Sequence, residues 1–354
     1  MGRDVALFKF NTWAYVSSQP VCDRRETGGL VVIKAFVKDG DRLRVADFAA
    51  QRDAVIWVDL LQPSQEEQKA VEDWLGIAVP TFEEMHEIEI SSRLYSDNDA
   101  FFMIATLPAH SDSERPEMGP VSFVLAKGRL VTIRYHEPRA FTTFPIRAEK
   151  LGLECSDGTS ILIVLLETIV DRLADLLEKA SAEVIEISHD IFHTREKKAS
   201  KRDLNFHIIL RRIGRKEGFV SNLQDSLLTL QRVAGFLGQI TQQTKASADT
   251  RARVKTLSRD VGSLADHADS LSQKITFLLE ATLGMINIEQ NNIIKIVSVA
   301  AVVFLPPTLI ASIYGMNFAH MPELGWLYGY PLAILLMVIV AVLPFWYFRR
   351  RGWL

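Results

Sequence analysis

The sequence predicts an α+β membrane protein, with an N-terminal α/β cytoplasmic domain, a long helical stalk and two C-terminal transmembrane helices. Three observations predict it. Residues 296–313 and 327–348 are apolar runs, each close to the ~20 residues that cross ~30 Å of hydrocarbon as a helix. Ahead of them, apolar residues recur at steps of three and four from Val254 to Met285, a helical period. The first part of the chain instead offers short β-branched and aromatic segments bounded by Gly, Asp and Pro.

Five segments in the first domain read as strands: Leu30–Val37, Val55–Asp59, Ala100–Leu107, Val121–Ala126 and Leu130–Tyr135. Lys127-Gly128 between the last two fits a hairpin turn. Pro63-Ser64 opens a helix over Gln65–Leu75 with Ser64 as its cap, and Thr81 caps a second over Thr81–Ile90. His110–Gly119 reads as a surface loop. The acidic run TFEEMHEIEI, with Glu83, Glu84, His86, Glu87 and Glu89, leaves two readings open. It is a solvated helix face, or part of a divalent-cation site completed by oxygens from a neighbouring surface.

From Ser160 the chain is helical. Ile161–Arg195 and Leu204–Ile240 form two long helices around the polar segment REKKASKRD, with Thr241–Ala248 as the next break. Val254, Leu257, Val261, Leu264, Ala268, Leu271, Ile275, Leu278, Thr282 and Met285 then form a heptad seam. We read it as a stalk packed against identical partners; a helix bundle within one chain is the alternative. No proline separates the seam from the first apolar run, so one helix spans both, at ~1.5 Å per residue on the order of 95 Å.

Two buried core helices would also be apolar, but the chain offers no second layer for both. Lys295 enters the first run and Arg349, Arg350 and Arg351 close the second, whereas the loop between them has no Lys or Arg. Basic flanks stay cytoplasmic, so both termini are expected there, with only the short loop outside. No secretory signal is expected in MGRDVALFKFNTW. These boundaries divide the chain into 1–158 (α/β domain), 159–248 (helical hairpin), 249–290 (stalk), 291–313 (first span), 314–326 (loop), 327–348 (second span) and 349–354 (basic tail).

Composition narrows the function classes. Lys and Arg number 40 against 43 Asp and Glu, so the net charge is −3 and no nucleic-acid partner is expected. Cys22 and Cys155 form no spaced metal cluster, and a cytoplasmic location argues against their pairing. No Walker-type loop, HExxH or GxSxG occurs, so neither an enzyme nor a cofactor is expected. Two spans in one chain cannot enclose water, so a hydrophilic path needs several subunits around an axis. One face of the first span carries Asn291, Ile294, Val297 or Ser298, Ala301, Leu305, Thr308 and Ser312. Its hydroxyls line such a path, or they satisfy backbone carbonyls within the helix.

The segment YGMNFAHMPELGWLYGYP at 314–331 resembles the signature of the CorA family of divalent-cation channels, on the Tyr314-Gly315-Met316-Asn317 core, the Met321–Leu324 continuation and the basic Trp-Leu tail. The resemblance is sharpest over residues 287–354. It implies a homopentameric funnel in the bacterial cytoplasmic (inner) membrane, with first spans lining the pore and second spans around them. It also implies that Asn317 forms the outer selectivity ring, with Gly315 and Met316 holding its loop. Amide oxygens there would receive the tightly held hydration shell of Mg²⁺ rather than strip it. Asn291 becomes a polar ring at the cytoplasmic mouth, Thr308, Leu305 and Val297 line the path between, with Ala301 and Ser312 on the same face, and Glu280 is an acidic pore-entry position.

Glu323 would concentrate cations outside the mouth. Closure in the family depends on Mg²⁺ held between cytoplasmic domains. The acids that suggest themselves here are Glu84 and Glu87 facing Asp249 or Asp260 of a neighbour, while Thr256 stands where an acid is expected. The implied activity is passive, potential-driven uptake of Mg²⁺, with Co²⁺ and Ni²⁺. The alternative is the related zinc-transporting branch, possibly proton-coupled, although the expected pore is poor in the N and S ligands zinc favours. A membrane-tethered structural protein is a third reading; it gives no reason for the polar ring positions.

Overall fold

Turn chemistry and strand alternation build a seven-stranded sheet. The structure, a computed structural model, describes residues 33–40, 42–87, 89, 93–111, 116–151, 156–193, 199–316 and 321–353. The strands are β1 (Ile33–Asp39), β2 (Arg42–Ala46), β3 (Val55–Leu61), β4 (Leu94–Asp97), β5 (Ala100–Ala109), β6 (Glu117–Ala126) and β7 (Arg129–Arg134), in spatial order β2-β1-β3-β7-β6-β5-β4. Lys127 and Gly128 take positive φ of 52° and 72°, the two-residue turn that joins β6 to β7. β3 and β7 run parallel, and every other pairing is antiparallel.

Alternation divides the sheet into two apolar faces. Val58, Leu60, Phe102, Ile104, Val124 and Val131 face one way and are covered by Val71 and Leu75 of α1 (Gln65–Leu75). Trp57, Met103, Val121, Phe123 and Leu130 face the other and join one continuous core with α3 (Arg139–Leu151), α4 (Gly158–His193) and α5 (Ala199–Gln243). A polar network crosses this second layer. Arg134 forks onto Asp59 at 2.8 and 3.1 Å, Thr132 donates to Asp59 at 2.8 Å, and Trp57 Nε1 donates to Thr132 at 3.1 Å. Burial of both charges is supported by a bidentate contact that fills the carboxylate's acceptor sites.

α1 begins and ends as its sequence dictates. Ser64 accepts from the Glu67 N–H while Glu67 reaches back to the Ser64 N–H, and Gly76 closes the helix at φ 74°. The second helix is shorter than expected. α2 is Phe82–Met85, stopped where the His86 ring takes the Phe82 carbonyl at 2.7 Å. β2 and β4, both on sheet edges, and α3, which contains Pro145, arise where the sequence suggested no element. The first expected strand begins at Leu30, which lies outside the described residues; within them it runs from Ile33 to Asp39.

α6 (Ala248–Tyr314) is one helix of 67 residues, about 100 Å long. Its seam packs against helices of the same chain, and not against the identical partners that its period suggested. Val254, Leu257, Val261, Ala268, Leu271, Ile275, Leu278 and Thr282 are buried inside this single chain, in the same core as Val220, Leu227 and Leu237 of α5 and Leu173 and Val184 of α4. A heptad stripe reports that one face is buried and not whose residues bury it; here the apolar residues of α4 and α5 cover it. Arg253 forks onto Glu167 of α4, and Gln224 of α5 donates to Asp269, fixing the three-helix register.

A candidate ion pathway

Beyond residue 285, α4 and α5 no longer cover α6, and almost none of its apolar run is buried within the chain. Its partner there is α7 (Gly329–Arg350), which returns antiparallel after a 3-10 turn at Pro322–Gly325. The least exposed side chains on α6 in this stretch are Val299, Val303, Pro306, Pro307 and Ile310. On α7 they are Ala333, Met337, Val340, Ala341, Pro344 and Phe348, at helical spacing and partly small, as close helix packing requires. Neither helix is a core helix of a soluble fold: both are long and apolar enough to cross a membrane, and both are exposed.

The helical period separates two faces of α6. At about 100° per residue, Val299, Val303, Pro306 and Ile310 cluster on one side. Ile294, Val297, Ala301, Leu305, Thr308 and Ser312 cluster on the opposite side, with Asn291 and Ser298 on its flank, and all are exposed. The sequence-derived polar and apolar ladder therefore lies on the face that α7 leaves uncovered. Val297 and Leu305 are 62% and 66% exposed. The Thr308 hydroxyl donates to the Phe304 carbonyl at 2.7 Å, so it serves the helix while keeping its lone pairs outward. Gly315 caps α6, its N–H bonding to the Ala311 carbonyl at 3.0 Å, and the Met316 N–H bonds to Ile313 at 3.2 Å. Asn317 lies outside the described residues, and of Glu323 only the backbone is described, within the 3-10 turn.

Continuing the uncovered face up the stalk reaches Glu280, exposed and on the side of α6 away from the buried seam. Asp249 is in the first turn of α6 and Asp260 is exposed three turns on. The Glu84 carboxylate is already engaged, accepting from the Thr81 N–H at 2.8 Å and its hydroxyl at 3.1 Å as the reciprocal half of the α2 cap. Glu87 is exposed, and its carbonyl accepts from Arg93 Nε at 2.7 Å. Acidic charge from Glu83 adds to burial in raising the Tyr135 phenol, and Glu84 and Asp97 do the same for Tyr95. Among the described residues, no three His, Cys, Asp or Glu side chains come together to hold a metal ion. Within one chain, Glu84 and Glu87 do not form a site with Asp249 or Asp260.

Comparison with known proteins agrees with this arrangement. The model of the CorA-like Mg²⁺ transporter protein family matches residues 52–350. The chain belongs to that family. Relatives named "Magnesium transport protein CorA" are 36% identical over 325 residues in Pasteurella multocida and 36% over 324 in Haemophilus influenzae. Each alignment covers 91% of this chain and 100% of the relative. The fold is also that of the complete structure of the CorA magnesium transporter from Methanocaldococcus jannaschii, with a TM-score of 0.73 at 21% identity, covering 92% of this chain and 99% of that one. Sequence reasoning about this family's first span missed the face that meets α7. Its signal is present in the small and ring residues Pro306, Pro307, Ala333 and Ala341, which allow close approach.

Proposed function

We propose that the protein is a passive, membrane-potential-driven Mg²⁺ uptake channel, admitting Co²⁺ and Ni²⁺ as well, that works as a homopentamer in the cytoplasmic membrane. The observation that supports this most is the division of α6: α7 covers the Val299–Ile310 face, and the Asn291–Ser312 face is left for an axis shared with other copies. Five first spans then line the path. Asn317 forms the outer ring, Gly315 and Met316 hold its loop, Val297 and Leu305 form an apolar constriction, and Asn291 and Glu280 stand at the cytoplasmic mouth. Lys295 and the arginines at the end of α7 set the cytoplasmic side. An inside-negative potential of 100 mV favours entry of a divalent ion by ~4.6 kcal/mol, which is sufficient drive without a nucleotide. Glu84, Glu87, Asp249 and Asp260 belong to closure: they meet between copies, where Mg²⁺ is held from the cytoplasmic side.

The test is ion uptake into liposomes at clamped potential, comparing wild type with Asn317→Ala for Mg²⁺ and Zn²⁺ separately, with and without a proton gradient. Mg²⁺ flux that follows the potential and is lost in the variant is expected. Zn²⁺ flux that requires the proton gradient, with Mg²⁺ excluded, would replace this reading with the zinc one.

A further inference from the structure

The end of α7 holds a cationic cluster that the ion path does not use. Arg349, Arg350 and Arg351 are consecutive and exposed, and among the described residues none of them forms an ion pair. Two of them are seated on aromatic faces: the Arg350 guanidinium lies 5.5 Å from the Trp346 ring centre and that of Arg351 lies 5.4 Å from Tyr347. Both rings are themselves open, at 58% and 52% exposure. The chain then turns back, with the Trp353 N–H on the Phe348 carbonyl at 3.1 Å and the two rings 5.2 Å apart. On α6, Lys295 stands one turn before Val299, on the side that α7 approaches, also exposed and without an ion pair among the described residues.

Tryptophan and tyrosine settle at the level of lipid headgroups, where an apolar body and a polar edge are both satisfied. Cation–π attraction to those rings holds the Arg350 and Arg351 guanidinium groups at that level, and a guanidinium fork matches two phosphate oxygens. Among the described residues, no acid of this chain pairs with these arginines. From this geometry we infer that the Arg349–Arg351 end of α7 binds the phosphodiester headgroup of an anionic phospholipid in the cytoplasmic leaflet. A zwitterionic lipid presents the same phosphate but adds a cation that this cluster repels, so the preference is for net negative lipid. The inference rests on the reading that α6 and α7 span the bilayer with these cations on the cytoplasmic side.

The full chain, purified in mild detergent with equal amounts of phosphatidylglycerol and phosphatidylcholine, can be read by native mass spectrometry for the lipid it retains. Wild type should keep phosphatidylglycerol preferentially. Arg349→Gln, Arg350→Gln and Arg351→Gln combined should lower that preference by roughly fivefold per arginine removed. The three Arg→Lys changes should retain part of it, since charge remains and the fork is lost. Flotation with vesicles, scored separately, reads whether the chain is in the bilayer at all, and it shows that each variant still inserts. Equal retention of the two lipids by wild type, or an undiminished preference in an inserted triple Gln variant, would overturn the inference. So would displacement of the lipid by soluble glycerol phosphate at matched concentration, which would make this a free-phosphate site. Dissociation of the oligomer in the Gln variant with lipid retention unchanged would assign the arginines to another copy's acids.

Discussion

Asp59 and Arg134 are buried to 2% and 4% exposure and were invisible to periodicity, because each occupies a strand position that reads as apolar alternation broken by a charge. They meet only because β3 and β7 are parallel neighbours, a pairing between residues 75 apart. Asp59→Ala should cost about 3–5 kcal/mol of unfolding free energy, since it leaves a buried guanidinium uncompensated. Thr132→Val should cost nearer 1 kcal/mol, both values read by denaturant titration. His136 gives a second prediction. Its Nε2 meets the Leu107 carbonyl at 2.9 Å, so that nitrogen carries the proton and Nδ1 is bare and buried. Burial, with Arg134 and His110 nearby, outweighs that hydrogen bond and Glu117 and lowers its pKa below the usual histidine value. Because the unfolded chain then takes the proton first, the stabilisation is full above about pH 6.5 and drains as pH falls through that value toward the lowered one. Wild type should lose more stability than His136→Gln between pH 7.5 and 5.5, measured by thermal unfolding; equal losses would remove His136 from the acid response.

At the scale of elements, the seam of α6 separates what a sequence can say from what it cannot. Val254 to Thr282 were legible as a buried stripe, and all of its members but the half-buried Leu264 are buried. The partner was misread, because a period of three and four fixes a face and leaves the identity of the covering helix to tertiary structure. Ile275→Ala should therefore destabilise the single chain by about 2–5 kcal/mol and leave the subunit count by light scattering unchanged. Loss of subunits without loss of chain stability would restore the intersubunit reading. α1 was fully legible, since Ser64, Glu67 and Gly76 each mark a terminus by local chemistry. α3 was not, because Pro145 interrupts any helical pattern, and β2 and β4 are short edge strands with little alternation to read. Gly158 adds a constraint of long range: a Cβ there would stand 2.4 Å from the Arg129 backbone carbon, against the β6–β7 turn whose Gly128 carbonyl takes its N–H. Gly158→Ala should lower the melting temperature, whereas Gly214→Ala, which meets nothing within 4 Å in the interior of α5, should leave it unchanged or raise it.

Across the whole molecule, α6 joins two environments with one backbone. Its upper part is held by α4 and α5 through a buried seam, and its lower part is held only by α7. A rigid helix of that length transmits a shift among the upper helices to the lower span, and the span's uncovered face is where such a shift can act. The narrowest consequence concerns Val297 and Leu305. Both are apolar, both lie on the uncovered face, and around a common axis neither offers an oxygen to a hydrated divalent ion. A ring of such side chains closes by losing its water column, so its barrier depends on width and apolarity and not on charge. Val297→Ala with Leu305→Ala should therefore raise basal Mg²⁺ leak into liposomes at high internal Mg²⁺, the condition in which the proposed closure operates. Glu323→Gln should act differently, lowering uptake most at low ionic strength, because attraction over several ångströms is screened by salt whereas dewetting is not. If both changes showed the same salt dependence, steering and gating would not be separate, and the apolar positions would have to be lining residues without control of flux.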